Sequence, residues 1–297
     1  MTKLQKLKEQ FPNIRDNELL KNHSMLRVGG PADLFYELTN IEELPQLLAL
    51  AEENQIPYKI IGRGTNILFT DKGFRGLIIK NLTCEYSVNG NEITADGGLL
   101  LSQIIKISVE NNLTGLEQLY GLPGTIGGAV FGNAGIPGTE IGKFVKNVVL
   151  FDVGSGIQEI PGDQINFSYR HSSIQNERKI IMRVTLTLLP GEEQKSKDLI
   201  KKIDIIRRGK QPTGYSAGSF FKNPSPDKSA GYLIEQVELK GYCIGDAQIS
   251  PIHANFLMNN KNATAGQILE LAALAKQKVK EKFGIDLETE VKIIGDL

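Results

Sequence analysis

The chain of 297 residues contains no tryptophan, only two cysteines and only three histidines. The histidines are scattered, with no H-x-x-x-H spacing and no C-x-x-C pair nearby, so the sequence predicts no metal site. Cys84 and Cys243 have apolar or mixed neighbours and no pairing motif. This pattern predicts reduced, buried thiols, as in a cytosolic protein.

Net charge and long apolar runs are also absent. Basic and acidic residues number 34 each, which argues against a surface that attracts nucleic acid or membranes. No uninterrupted apolar run approaches the length of a membrane-spanning helix. Residues 1–10 are charged and amphipathic without the apolar core of a signal peptide, so we expect a cytoplasmic protein.

Glycine, in contrast, is concentrated in residues 121–135, where six glycines and Pro123 are interleaved with apolar residues. A flexible linker would be polar throughout. Glycine at this density indicates a backbone that turns sharply and approaches something closely, and exposed main-chain N–H groups would suit a diphosphate. A tight structural connection between two packed elements explains the segment equally well.

A second glycine cluster favours the cofactor interpretation. Residues 58–69 read as a strand, a Gly62-Arg63-Gly64 turn and a further apolar run. The segment lacks the G-x-G-x-x-G fingerprint, and the chain has no G-x-x-x-x-G-K-[ST] string. Two glycine-rich turns of neither standard type predict a phosphate-bearing cofactor held by another fold.

Apolar spacing and end signals predict a mixed α+β chain, with a domain boundary inside the charged helix 192–208. The other predicted helices are 4–20, one through 44–51 capped by Asn40 and Glu43, 100–109, and a long one capped by Thr264 and Gln267 that ends at Gly284. The predicted strands are 34–38, 78–88 with a hairpin at Asn89-Gly90 returning through 92–95, the hairpin 148–153/157–160, 180–189 and 285–293.

Three places carry residues suited to chemistry. Tyr169-Arg170 follows a buried-looking stretch, Ser219 lies among small residues before two phenylalanines, and Glu290 lies on the polar side of the last predicted strand. Taken singly, Arg170 is better explained by a surface ion pair and Glu290 by simple exposure. Ser219 could be a hydroxyl offered into a cleft or a turn residue. No G-x-S-x-G string surrounds Ser219, which argues against a hydrolase.

Together these residues resemble the UDP-N-acetylenolpyruvoylglucosamine reductase family. The similarity runs from residues 27–33 to residues 287–295. Its most specific parts are 121–135, Tyr169-Arg170, 217–224 and the terminal 287–291. The resemblance implies an α+β chain with a two-lobed FAD-binding domain of the vanillyl-alcohol-oxidase (PCMH) type, its lobes at 1–80 and 81–195. A smaller α+β substrate domain would follow at 196–297.

The resemblance also implies the roles of site residues. The catalytic residues would be Arg170, Ser219 and Glu290, and the substrate-binding residues Tyr169, Lys210 and Asn223. The residues that would bind FAD are Gly62, Arg63, Gly64, Thr65, Asn66, Ile67, Pro123, Gly124, Ile126, Gly127, Gly128, Ala129, Asn133 and Gly135.

The implied reaction uses non-covalent FAD and NADPH to reduce an enolpyruvyl ether of a nucleotide sugar to its lactyl ether, in a monomer. Arg170 and a protonated Glu290 would stabilise the negative charge, and Ser219 would deliver the proton. The chain resembles a short form of the family without the inserted loop whose tyrosine covers the substrate. His253 would either line the same cleft or be a buried structural residue.

Two other function classes remain open on the sequence. One is an oxidase on the same FAD fold that uses O₂, often with a covalent flavin link from His or Cys. Neither glycine-rich turn contains either residue. The other is a non-enzymatic flavin- or nucleotide-binding module, which would leave Arg170, Ser219 and Glu290 without a purpose.

Overall fold

The structure, a computed structural model, describes residues 3–177 and 179–296, with side chains from residue 6 onward. The helices are α1 (Lys3–Gln10), α2 (Leu44–Glu53), α3 (Leu101–Glu110), α4 (Ile126–Phe131), α5 (Glu193–Lys210), α6 (Ala230–Gln236) and α7 (Ala265–Phe283). The strands that start before residue 150 are β1 (Arg15–Leu19), β2 (Pro31–Leu38), β3 (Tyr58–Ile61), β4 (Ile67–Phe69), β5 (Phe74–Asn81), β6 (Tyr86–Asn89), β7 (Glu92–Asp96), β8 (Leu113–Thr114), β9 (Gly135–Ile136), β10 (Thr139–Glu140) and β11 (Val145–Asp152). The later strands are β12 (Gly156–Pro161), β13 (Phe167–Ser168), β14 (His171–Ser172), β15 (Ile180–Thr187), β16 (Leu189–Pro190), β17 (Tyr215–Ser219), β18 (Cys243–Ile244), β19 (Ala247–Ile249), β20 (Phe256–Asn259) and β21 (Lys292–Ile294).

The chain forms two compact units, each assembled from separated segments. Unit 1 contains residues 3–14, 36–63 and 77–207, and unit 2 contains residues 15–35, 64–76 and 208–296. The mixed α+β class is confirmed. The boundaries 1–80, 81–195 and 196–297 remain a prediction.

Unit 1 is built on an antiparallel sheet with strand order β12-β11-β15-β7-β6. Helix α3 packs on its core through Leu101, Ile104 and Ile105, which recur at helical spacing and are buried. The hairpin predicted at Asn89-Gly90 is confirmed, because Asn89 pairs with Glu92 and Gly90 has a φ of 60°. The hairpin β11–β12 is also confirmed.

The strand predicted at 78–88 is two strands, β5 and β6. The buried Asn81 side chain accepts hydrogen bonds from the Thr83 backbone N–H, at 3.1 Å, and from the Thr83 hydroxyl, at 2.8 Å. Such a local side-chain bond offers the backbone an alternative to the ladder, so the strand ends there.

The lead-in helix predicted at 4–20 is also shorter than expected. Helix α1 ends at Gln10, just before Pro12, and β1 then pairs antiparallel with β2. Proline disfavours the helical conformation of the residue that precedes it, and the ladder with β2 supplies the backbone hydrogen bonds instead.

The cap predicted before α2 is confirmed only in part. The Asn40 side chain accepts a hydrogen bond from the Glu42 backbone N–H, in a single 3₁₀ turn that precedes the α-helix. The Glu43 carboxylate does not complete the box. It accepts a hydrogen bond from the Tyr36 hydroxyl at 2.6 Å, and burial together with this bond raises the pKa of Tyr36.

Unit 2 contains the sheet β17-β20-β19-β18, against which α6 and α7 pack. Helix α7 begins with the predicted Thr264–Gln267 capping box and ends at Gly284, which has a φ of 68°. The Asp71 carboxylate accepts hydrogen bonds from the backbone N–H groups of Ala265, at 2.8 Å, and Gly266, at 3.0 Å. A negative charge at this end of a helix is stabilising.

Two further predictions were wrong. The terminal strand 285–293 is reduced to β21, because the segment changes partners, bridging Phe221 through Thr289 and then pairing in parallel with β4. Cys84 and Cys243 are free but exposed rather than buried. Cys243 begins β18, a strand at the edge of its sheet. Within the described residues no helix is both long enough and apolar enough to cross a membrane.

Candidate active site

The glycine-rich segment 121–135 folds around the short helix α4. The Thr125 side chain caps this helix by accepting a hydrogen bond from the Gly128 N–H at 3.2 Å. The N–H groups of Ile126, Gly127 and Ala129 donate to the carbonyls of Leu99, Gly97 and Thr125. All four amides at the start of α4 therefore have acceptors within the protein.

Two glycines of these clusters permit close packing inside unit 1. A methyl group on Gly127 would lie 2.8 Å from the carbonyl oxygen of Gly97. A methyl group on Gly62 would lie 2.6 Å from the Thr125 hydroxyl oxygen. Gly62, where the second cluster begins, thus lies directly against the cap of α4. At these positions the structural explanation of the glycines is sufficient.

Gly128 differs from both. It is exposed, and the nearest atom to a methyl group placed on it would be the Thr125 hydroxyl oxygen at 3.4 Å, an ordinary contact. No packing requirement within the described residues therefore explains a glycine there. A bare backbone facing open space is what a bound group needs in order to come close.

In the second glycine-rich turn, residues 62–67, three backbone amides are unbonded within the described part of the chain, unlike those at the start of α4. Gly64 has a φ of 65°, and a side chain there would overlap the carbonyl oxygen of His23 in unit 2. The N–H groups of Gly64, Thr65 and Asn66 find no acceptor among the described residues. Successive amides around a left-handed residue form a concave site for an anion.

Ser219 ends strand β17 in unit 2. The pairing of β17 with β20 is irregular between Ser216 and Ser219, and Gly218 between them has a φ of 74°. Beyond the strand, the buried Asn255 side chain accepts from the Phe221 N–H at 2.9 Å and donates to the Phe221 carbonyl at 2.8 Å. Ser219 is partly exposed, and its hydroxyl has no hydrogen-bond partner among the described residues.

Glu290 lies beside Ser219 in the same unit. Its backbone N–H donates to the carbonyl of Phe220 at 2.9 Å. Its own carbonyl accepts from the Asn66 side-chain amide at 3.3 Å. The structure therefore brings together Ser219, Glu290 and part of the second glycine turn, which lie far apart in the sequence.

Arg170 lies in unit 1, in a hairpin formed by β13 and β14. Ser168 pairs with His171, so Tyr169 and Arg170 form the turn, with a φ of 56° at Arg170. The guanidinium carbon of Arg170 lies 5.1 Å from the centre of the exposed Tyr169 ring. Left-handed backbone is unusual for a residue with a side chain, and such strain concentrates at functional sites.

Comparison with known proteins identifies the family. Residues 211–294 match the family model "UDP-N-acetylenolpyruvoylglucosamine reductase, C-terminal domain", and residues 32–156 match "FAD binding domain". A UDP-N-acetylenolpyruvoylglucosamine reductase of Caldanaerobacter subterraneus is 39% identical over 94% of this chain and 93% of its own length. The Anoxybacillus flavithermus enzyme is 38% identical over 98% and 99%. The chain belongs to the UDP-N-acetylenolpyruvoylglucosamine reductase family.

A solved structure agrees with this assignment. The UDP-N-acetylenolpyruvylglucosamine reductase (MurB) of Thermus caldophilus superposes with a TM-score of 0.82 at 33% identity, covering 95% of this chain and all of that one. The predicted family and its fold, an FAD-binding domain followed by a C-terminal domain, are confirmed. The chain is a flavoenzyme oxidoreductase with FAD as its cofactor. The alternative of a non-enzymatic binding module is therefore excluded.

The residues present fit FAD. In unit 2 the free amides of Gly64, Thr65 and Asn66 suit a negative diphosphate. In unit 1 the open face of Gly128 lets a bound group approach the backbone closely. Asn133 behaves differently from its predicted role as a cofactor ligand. It is fully buried, and its side-chain amide is bonded to Glu140, Ser168 and Gly142. The assignment of Asn133 to FAD stays a prediction.

The predicted substrate residues lie in both units. Tyr169 is in unit 1, whereas Lys210, the exposed last residue of α5, and Asn223 are in unit 2. The Asn223 side-chain oxygen accepts from the N–H of Ala230, the first residue of α6, at 3.0 Å. This bond gives Asn223 a structural role in addition to the predicted one.

Sequence reasoning missed Arg207. Its half-buried side chain lies against Gly121, where a methyl group would be 2.9 Å from its Cδ, and it has no ion pair or hydrogen bond among the described residues. Burial lowers the pKa of its guanidinium. An unpaired, partly desolvated cation beside the glycine-rich segment is suited to an anion. Its only signal was the Arg-Arg-Gly-Lys sequence that follows the helix stripe.

The contacts of His253 favour the structural alternative, and its role stays a prediction. Its Nδ1 accepts from the Asn255 N–H at 3.2 Å, and its ring packs on Phe256, 4.9 Å between centroids. Burial, more than the nearby Lys240, lowers the pKa of the imidazole, which favours a neutral ring. Its contacts within unit 2 account for the residue.

Proposed function

We propose that this chain reduces the enolpyruvyl ether of UDP-N-acetylglucosamine-enolpyruvate to UDP-N-acetylmuramate, with NADPH as the hydride donor. The observation that carries the proposal is the pairing of the Ser219 and Glu290 segments through the Glu290 N–H and the Phe220 carbonyl. Ser219 thus lies in the segment next to Glu290, and its hydroxyl has no hydrogen-bond partner among the described residues, so its proton is available for transfer. The relatives at 38–39% identity bear the name of this activity.

The chemistry that FAD supplies when bound is the relay of one hydride from NADPH to the substrate double bond. The chain holds the cofactor without a covalent link, through Gly62 to Ile67 and the segment 123–135. The unengaged amides of Gly64 to Asn66 bind the diphosphate, and Gly128 lets the backbone come close. Neither segment contains the His or Cys of a covalent flavin site.

Ser219 acts as the general acid. Hydride addition at the methylene carbon, C3, leaves an electron pair at C2, and the Ser219 Oγ gives its proton there to form the new C–H bond. The serine oxygen then recovers a proton from solvent. Because its hydroxyl has no partner among the described residues, no protein hydrogen bond has to break before the proton moves.

Arg170 and Glu290 stabilise the charge that develops at C2 and on the adjacent carboxylate. The Arg170 guanidinium is a permanent cation, and Glu290 in its protonated form donates a hydrogen bond to the same charge. Arg170 is held in left-handed backbone at the tip of its hairpin. Such a fixed cation stabilises the transition state without reorganising.

Tyr169, Lys210 and Asn223 bind the nucleotide sugar, with Arg207 as an additional cation for a phosphate group. The enzyme works in the cytoplasm as a monomer in the synthesis of peptidoglycan precursors. Its substrates are the nucleotide sugar and NADPH, and it has no nucleic acid, membrane or metal partner.

The experiment that tests the proposal separates the two half-reactions. Ser219→Ala should keep its flavin and bleach normally when mixed anaerobically with NADPH. Reoxidation by the enolpyruvyl nucleotide sugar should slow by about 100-fold or more, the typical loss of a general acid. Ser219→Cys should recover part of the rate. Stopped-flow absorbance that showed equal slowing of both halves, or of neither, would contradict the assignment of Ser219.

A further inference from the structure

The hairpin 167–172, here called the arginine hairpin, has little stability of its own. Its ladder consists of two residue pairs, Phe167 with Ser172 and Ser168 with His171. An isolated two-stranded hairpin is at best marginally stable in water. A left-handed φ at Arg170 adds backbone strain. Something outside the hairpin must therefore fix the direction of the Arg170 side chain.

The structure shows what fixes one strand of the hairpin. The Asn133 Nδ2 donates to the Ser168 carbonyl at 2.8 Å and to the Glu140 carboxylate at 3.0 Å. Its Oδ1 accepts from the Gly142 N–H at 3.1 Å. Asn133 is completely buried and has a φ of 44°. Its amide therefore ties the residue two positions before Arg170 to the end of the glycine-rich segment.

The other strand is fixed by a second amide. The Gln175 Nε2 donates to the Phe131 carbonyl at 2.8 Å and lies 3.4 Å from the Arg170 carbonyl, a longer bond. The fully buried Ser172 donates through its hydroxyl to the same Phe131 carbonyl at 2.7 Å. Both strands of the arginine hairpin are thus held to residues 131–133, where α4 ends.

We propose that Asn133 and Gln175 are positioning residues for Arg170, acting through the carbonyls of Ser168 and Arg170 rather than by touching substrate or cofactor. The inference deepens the proposed function, because it rests on Arg170 as the cation that stabilises the charge at C2. It also explains why Asn133 lies in a cofactor-binding segment with its whole amide engaged by protein groups. The end of the glycine-rich segment then contributes both to the flavin site and to the position of the Arg170 side chain.

Gln175 offers the cleaner test, since removing the buried Asn133 amide would strand three polar groups and risks misfolding. Gln175→Leu replaces the amide by an apolar side chain of similar size and removes both hydrogen bonds. Its matched control is Gln164→Leu, an exposed glutamine near the hairpin whose side chain has no hydrogen bond among the described residues. We expect normal flavin content and normal bleaching by NADPH in both variants.

Reoxidation by the enolpyruvyl nucleotide sugar should slow by about 10- to 100-fold in Gln175→Leu, the usual consequence of a misplaced catalytic group, and stay at the wild-type rate in Gln164→Leu. The apparent KM should change little, because the lost interaction acts on the transition state. Loss of flavin, or equal slowing of both half-reactions, would show a merely structural role and overturn the inference.

A double-mutant cycle decides whether Gln175 acts through Arg170. In an Arg170→Ala background the additional effect of Gln175→Leu should vanish, because the cation it positions is gone. Additive effects would overturn the inference. Hydrogen exchange supplies a readout independent of turnover: amides of residues 167–175 should exchange faster in Gln175→Leu than in Gln164→Leu, and equal protection would also count against it.

The same measurements distinguish failure of the inference from failure of the proposed function. If the reduced wild-type enzyme is not reoxidised by the enolpyruvyl nucleotide sugar, the proposed function fails. If the wild type is reoxidised and Gln175→Leu keeps the wild-type rate, only the positioning role fails.

Discussion

In the segment 121–135 the amides of residues 126–129 all donate to protein acceptors, whereas in the turn 62–67 the amides of Gly64, Thr65 and Asn66 have none among the described residues. Both segments were predicted as diphosphate cradles for the same reason, their glycine content. The structure assigns them different physical tasks. The first provides close packing and an open backbone face, and the second provides free N–H donors.

The difference shows that a high glycine content indicates close approach of another group to the backbone. It does not say whether that group belongs to the protein or to a ligand. The space where a side chain would stand is filled by Gly97 at Gly127 and by Thr125 at Gly62, whereas at Gly128 it is open. A cofactor segment can therefore consist mostly of glycines that serve the protein's own packing. Substitutions that add a single methyl group separate these cases.

Gly64→Ala should have the largest effect. An L-residue with a φ of 65° is strained, and its methyl group would overlap the carbonyl oxygen of His23, so the turn must change. We expect loss of most bound flavin and a destabilisation of about 3 kcal/mol or more, summing strain and overpacking. Visible absorbance per protein and urea unfolding measure the two effects.

The control for this variant is Gly90→Ala. Gly90 has a φ of 60° but no atom within 4 Å of an added methyl group, so it carries the backbone strain alone. Its destabilisation should be about 1 kcal/mol, with flavin retained. Equal effects at the two positions would mean that the approach of His23 is unimportant.

Gly127→Ala and Gly128→Ala should differ in sign. The first methyl group meets the Gly97 carbonyl oxygen at 2.8 Å and should destabilise the protein by about 1–3 kcal/mol. The second has room, so the flavin-free protein should gain about 0.5–1 kcal/mol from alanine in a helix, while its affinity for FAD falls. Thermal melts without flavin and FAD titration test both; unchanged FAD affinity in Gly128→Ala would remove Gly128 from the site.

Glu117 lies just before the segment 121–135 and makes the stability of the protein depend on pH. Its buried carboxylate accepts from the Thr114 hydroxyl, the Gly115 N–H and the Ser196 hydroxyl. Burial alone would raise the pKa of Glu117, but these hydrogen bonds together outweigh it and lower the pKa. The stability it contributes is present above the pKa of the unfolded chain and is lost as pH falls through the folded value.

The test is Glu117→Gln, which cannot ionise. We expect a loss of about 1–2 kcal/mol at neutral pH, in the range of a hydrogen bond to a charged group, and a shallower decline in stability on acidification than in the wild type. Urea unfolding of both proteins at several pH values, from neutral to acidic, measures the free energy of unfolding and its decline. Parallel pH profiles for the two proteins would show that Glu117 does not titrate differently on folding.

Thr125→Val should have the smallest effect. It removes the hydroxyl that caps α4 and leaves the Gly128 N–H without its acceptor, at a cost of about 1 kcal/mol. Thermal unfolding measures the change, and the cap Thr264→Val on α7 is the matched comparison. An effect confined to Thr264→Val would show that α4 is held by the Leu99 and Gly97 carbonyls instead.

Much of the local structure followed from the sequence alone, because its causes are local. The capping box of α7, its stop at Gly284 and the hairpin at Asn89-Gly90 each depend on residues within a few positions of one another. Helix α3 followed from a stripe of apolar residues at helical spacing. The family and its FAD-binding fold followed from four motifs in their order along the chain.

Only the tertiary structure decided which residues meet. The strand predicted at 285–293 was wrong because that segment takes backbone partners from 220–222 and then from β4. The same contacts place Glu290 beside Ser219, and the engagement of the Asn133 amide by Ser168, Glu140 and Gly142 is likewise invisible in the sequence. The physical reason is that a backbone N–H or a side-chain amide takes whichever acceptor the fold brings within about 3 Å, and sequence distance does not constrain that choice.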